Sequence, residues 1–94
     1  MKIEIIEKIK LLKPQLKKDF NVDEIALFGS YSRNEETEKS DLDIIVKLHK
    51  PLGLKFLTLL YFLEHNLKQK VDLVTEQALR KNMKSQILSE AIFI

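Results

Sequence analysis

A chain of 94 residues with 16 Lys and Arg against 14 Asp and Glu carries a formal charge of only +2, and its two signs are interspersed, so no direct nucleic-acid binding is expected. The absence of Cys excludes disulfides, thiolate metal sites and a cysteine nucleophile. The length suits one small domain over residues 1–94 with a single core and a shallow site; the start is not a signal peptide, and no stretch approaches the ~20 apolar residues of a membrane span, so a cytoplasmic protein is expected.

Ile5, Ile6, Ile9 and Leu12 recur at helical spacing from Lys2 onward. Pro14 predicts a break near Leu12-Lys13, followed by a short helical piece from Leu16 to Phe20. Asn21-Val22-Asp23 reads as a turn into a buried strand, Glu24 to Phe28. Gly29 closes that strand, where a glycine permits a tight turn and close approach by a ligand. Ser30 is placed to cap a short helix through Tyr31-Ser32-Arg33, whose free N–H groups suit a phosphate. Glu35 to Lys39 reads as a mobile surface loop.

A second strand runs from Leu42 to Leu48. Leu42, Ile44, Val46 and Leu48 make its core face, while Asp43, Ile45 and Lys47 share a half-open one. A helix from Leu54 to Leu67 is apolar enough to cover the sheet. A third strand, Val71 to Thr75, a turn, and a last helix from Met83 to Ile92 complete the pattern. The apolar tail Ala91-Ile92-Phe93-Ile94 either joins the sheet or meets a partner. If the strand-one end lies near the strand-two start, those strands are antiparallel; the helical crossover makes strands two and three parallel. The expected fold is α/β, a small mixed three-stranded sheet with helices on one face.

Asp41 and Asp43, two apart on a strand, project side by side, and Asp72 opens the neighbouring strand. Crowded carboxylates repel unless protons or cations intervene, and Mg²⁺ favours such oxygen ligands. Three acids on two strands suit two Mg²⁺ ions roughly 3.5–4 Å apart, one for a nucleotide triphosphate and one for an attacking hydroxyl. Phosphoryl transfer also needs phosphate anchors, and Ser30, the N–H groups after Gly29, and Arg33 are placed to serve. Asp72 is then both a metal ligand and an acceptor for the nucleophile's proton.

Gly29-Ser30, ten residues, then Asp41-x-Asp43 resembles the GS-x10-DxD signature of the polymerase-β-like nucleotidyltransferase superfamily. GSYSR at 29–33, SDLDIIV at 40–46 and VDLVT at 71–75 resemble its minimal, single-domain branch, over nearly the whole chain. Chance would produce the GS and DxD pair in roughly one chain of this length per thousand, so the match carries weight. The resemblance implies an enzyme with two Mg²⁺ ions and ATP or another NTP as substrate. It further implies an antitoxin that silences a HEPN-family ribonuclease toxin by moving AMP to one of its tyrosines, within a hetero-oligomer. Where the family often has Gly after GSYxR, this chain has Asn34, a residue that tolerates left-handed backbone.

Rival readings are an antitoxin that masks its toxin by contact alone and a nucleotidyltransferase acting on RNA ends or a small molecule. Arg33 is a phosphate clamp or an ion-pair partner of Glu35 or Glu36. Glu76 is the fallback third acid. Tyr31 reads as packing, and His49 and His65 as isolated and solvated. The tail and the face around Ile45 and Val74 are the expected docking surface for a partner.

Overall fold

The computed structural model describes residues 2–37 and 40–94; Glu38 and Lys39, at the end of the expected loop, lie outside the described residues. The elements run α1 (Lys2–Phe20), β1 (Val22–Phe28), β2 (Leu42–Leu48), α2 (Lys55–Leu67), β3 (Val71–Thr75), a 3-10 turn (Glu76–Ala78), α3 (Lys81–Glu90) and β4 (Ile92–Phe93).

The expected break at Pro14 does not occur, and α1 passes through it as one helix. An internal proline forgoes a hydrogen bond and crowds the preceding turn, at a cost of about 3 kcal/mol. Burial outweighs that cost. Ile5, Ile9, Leu16 and Phe20 form one stripe against the sheet, with Ile9 and Leu16 fully buried. Each such side chain contributes roughly 1.5–3 kcal/mol. Asn21, left-handed at φ 56°, then turns the chain at once, so β1 begins at Val22 rather than Glu24.

β1 and β2 pair antiparallel, and β2 and β3 pair parallel across the α2 crossover. The expected three strands become four, in the order β3-β2-β1-β4. β4 lies antiparallel on β1, where the Ile94 N–H donates to the Ile25 carbonyl at 3.0 Å. Lys13 Nζ holds the Ile94 carbonyl at 2.8 Å. The apolar tail thus joins its own sheet, the first of the two expected readings, rather than standing free as a docking segment.

Register decides the two faces. Ile25 opposes Val46 and Leu27 opposes Ile44, and these join Leu42, Val71 and Leu73 in the core beneath α1 and α2. The other face carries Ala26, Ile45 and Val74, and toward one end Phe28, Asp43 and Asp72. Its middle is not half open as expected: Ala26 is 0% and Ile45 3% exposed. The C-terminal elements come up against these strands, the 3-10 turn touching β2 and α3 touching β1. Among the described residues, no helix is long and apolar enough to cross a membrane.

Candidate active site

The site begins at the end of β1. Gly29 has φ +69°, and a Cβ there would overlap the Asp43 carboxylate and stand 3.0 Å from its Cγ. Only glycine lets the turn lie this close to the acid. The Gly29 carbonyl accepts the N–H groups of Ser32 at 3.1 Å and Arg33 at 3.2 Å. Ser32 Oγ also donates to it, at 2.9 Å. The segment is therefore a tight hydrogen-bonded turn rather than the expected short helix, and Ser30 does not cap a helix. The Ser30 hydroxyl and the N–H groups of Ser30 and Tyr31 have no partner among the described residues. Those donors are left available to an anion. Asn34 closes the turn at φ 59°, the left-handed conformation that its side chain tolerates. Lys2 Nζ ties its Oδ1 to α1 at 2.6 Å.

Asp43 and Asp72 stand opposite each other in the parallel pairing of β2 and β3, close enough for their carboxyls to share a hydrogen bond. Partial burial first, then the charges of Asp72 and Asp41, push Asp43 up to about 6. Asp41 sits one residue before β2, exposed at its lip. The three predicted acids thus gather at one end of the sheet, with Asp43 and Asp72 as the close pair and Asp41 beside them. Among the described residues, no three acids or histidines are already spaced as a metal cage. The donor set nevertheless suits a divalent cation: hard oxygens, crowded by like charge, with one carboxyl driven toward its protonated form by burial and by the neighbouring acids.

Arg33 stands at the same end, near enough to Asp43 to lower its pKa. Its Nε donates to Glu35 at 2.6 Å, and its guanidinium lies 3.8 Å from Glu90 at the end of α3. The Glu35 pairing matches one of the two predicted readings; the Glu90 contact could not be read from spacing. Glu76, the fallback acid, instead pairs with Lys84 at 3.6 Å. His49 is not isolated: its Nδ1 meets Asp23 Oδ1 at 2.8 Å.

Two supporting residues escaped the sequence reading. Gln69 Nε2 donates to the buried Tyr31 hydroxyl and, at 3.2 Å, to the Ser40 carbonyl. It pins the glycine turn to the segment that delivers Asp41. Glu64 Oε2 accepts the Val71 N–H at 3.0 Å and steadies the start of β3, one residue before Asp72. Both lie near the end of the crossover with no motif to mark them. Only the paths of the flanking strands bring them to the site.

Residues 9–94 match the family model described as "Nucleotidyltransferase domain". Protein adenylyltransferase MntA of Thermococcus cleftensis is 40% identical over 83 residues, spanning 87% of this chain and 84% of that protein. A solved structure described provisionally as a minimal nucleotidyltransferase superposes with a TM-score of 0.81 at 31% identity, covering 98% of this chain and 95% of the other. A toxin–antitoxin crystal structure with AMP-PNP has a TM-score of 0.74 at 27% identity, over 92% of this chain and 70% of that one. A glycine turn with free donors, facing acids on two adjacent strands, is the arrangement the GS and DxD motifs implied, and the chain belongs to the nucleotidyltransferase domain family as one of its minimal members.

Proposed function

We propose that this nucleotidyltransferase moves AMP from ATP to a tyrosine hydroxyl of a HEPN-family ribonuclease toxin and so acts, in the cytoplasm, as that toxin's antitoxin. The observation that carries the reading is the meeting of Asp43 and Asp72 beside the Gly29–Ser30 turn, whose unpaired donors suit a phosphate chain. The likeness to a protein adenylyltransferase and to a toxin–antitoxin structure with AMP-PNP supports a protein acceptor and ATP as donor.

In this reading Ser30 and the N–H groups of Ser30 and Tyr31 hold the departing phosphates. Arg33 exchanges part of its pairing with Glu35 and Glu90 for a phosphate oxygen. Asp41, Asp43 and Asp72 are the residues that would hold Mg²⁺. When bound, the metal supplies neutralisation of the phosphate charge and a more acidic nucleophile. The tyrosine oxygen bonds to the α-phosphorus, the bond from that phosphorus to the bridging oxygen breaks, and pyrophosphate leaves. Asp72 takes the hydroxyl proton.

Incubation with Mg²⁺, labelled ATP and the protein encoded by the adjacent reading frame should label that protein on tyrosine. No transfer by a folded preparation would overturn the reading. If the Asp41→Asn/Asp43→Asn double variant still neutralised the toxin, masking by contact would replace it.

A further inference from the structure

The outer edge of β3 is open, and it runs from the acids toward a cavity. The Leu42 N–H donates to the Lys70 carbonyl at 2.9 Å. With the parallel register of Leu42 on Val71, this turns the N–H and C=O groups of Asp72 and Val74 inward to β2 and those of Val71, Leu73 and Thr75 outward. The outward Val71 N–H is already taken by Glu64 Oε2. The N–H groups of Leu73 and Thr75 and the Leu73 carbonyl have no partner among the described residues. Natural sheets guard such an edge with lysine, proline or a bulge. The strand VDLVT has none of these, and its one charge is Asp72.

We infer that this edge is where the acceptor protein lays an extended segment, adding a strand that presents its hydroxyl residue opposite Asp72. The inference rests on the proposed reading that the acceptor is a protein, and it names the surface that receives it. An antiparallel strand bonded to Leu73 through both N–H and C=O puts its neighbouring residue opposite Asp72 in a non-hydrogen-bonded pair. There the side chains approach most closely, about 4.5–5.5 Å between Cβ atoms. That residue's side chain stands on the face shared by Asp72 and Asp43, and a tyrosine is long enough to pass over the first toward the second. In the other direction, about 10 Å or three residues along, a cavity of about 670 Å³ opens between Leu52, Phe56, Leu73 and Ala78. It takes an apolar side chain of the same segment. The acceptor is therefore an extended peptide with a hydroxyl residue preceded, three positions away, by an apolar anchor. Backbone pairing gives such a segment its affinity, and the two side chains give it its register.

The test is amide hydrogen exchange by NMR on the intact chain, with AMP-PNP, before and after addition of the protein encoded by the adjacent reading frame. The Leu73 and Thr75 amides should slow at least tenfold, while the Phe93 amide, which faces outward on the opposite edge of the sheet, stays unchanged. Association with Leu73 and Thr75 unaltered, or with Phe93 slowed in their place, overturns the inference. Thr75→Pro removes one outward donor and leaves the β2 ladder intact. It should cut kcat/KM for the acceptor at least tenfold with AMP-PNP affinity within twofold. Unaltered transfer by that variant overturns the inference as well, as does slowing of the two amides by a second copy of this chain in the absence of acceptor. Should the wild type bind the acceptor without labelling it, the adenylylation reading fails, and the exchange of Leu73 and Thr75 still decides where the acceptor docks. No association at all overturns both.

Discussion

Ile44 and Asp43 are neighbours on β2 and have opposite surroundings. Ile44 is fully buried between Leu27 and Leu73, in a core supplied by both long helices. Asp43 lies on the other face, pressed between the Gly29 turn and the Asp72 carboxyl. On the first face every contact lowers the free energy of the folded chain. On the second, ionisation of Asp43 raises it, because like charges are gathered in a partly desolvated place. The strand joins a face that stabilises the fold to a face that strains it, and the strained one is built to receive charge from outside.

Substitutions on the two faces should therefore separate activity from stability. Asp43→Asn should lower nucleotidyl transfer by about 10³-fold or more, roughly 4 kcal/mol in the barrier. The melting temperature should hold or rise, since a repelling charge is gone; a large fall in melting temperature would contradict this account of the acid face. Ile44→Ala should do the reverse. It should cost about 2–5 kcal/mol in urea unfolding while the surviving folded fraction keeps its nucleotide affinity.

Between these extremes stands Gln69→Leu, which unties the turn from the strand. It leaves the Tyr31 hydroxyl buried without its partner, at about 1–3 kcal/mol. Transfer should weaken along with stability, and a loss of stability alone would mean that Gln69 does not position the site.

A smaller effect is expected from pH. The Asp43 carboxyl titrates near 6 in the folded chain and near 3.8 unfolded, so its folded form binds the proton more tightly. Its contribution to stability is complete below pH 3.8 and is lost as pH rises through 6. Water in the half-open site screens the charges, so the loss is on the order of 1 kcal/mol. Thermal melts of the metal-free protein should drop over that window. Added Mg²⁺ at neutral pH should restore the loss in wild type and much less in Asp43→Asn. The smallest change should come from Asn34→Gly. Relief of the left-handed backbone is offset by loss of the bond to Lys2, and the melting curve should shift by less than about 0.5 kcal/mol.

Much of the arrangement was legible in the residues themselves. Alternation along Leu42–Leu48 separates the core face from the acid face because side chains on a strand alternate with period two. The GS and DxD elements sit at strand ends, so the direction of β1 against β2 followed from asking that they meet. The parallel crossover to β3 followed from the length of α2. Local patterning could not foresee Pro14 inside an unbroken α1, because the penalty of the proline is local and the burial that outweighs it comes from the sheet. The fourth strand was one of two readings that the apolar tail allowed. An apolar tail has no preference of its own between β1 and a partner until the open β1 edge is in place. The same holds for Gln69, Glu64 and Glu90, whose partners lie 38, 7 and 57 residues away. Composition and spacing determined which side chains bear the chemistry and which strands bear those side chains. Packing alone decided that Asp43 and Asp72 come within hydrogen-bonding reach, that Asp41 stays at the lip, and that the tail covers β1 while the edge of β3 is left open. Those outcomes depend on distances between segments that no local sequence pattern records.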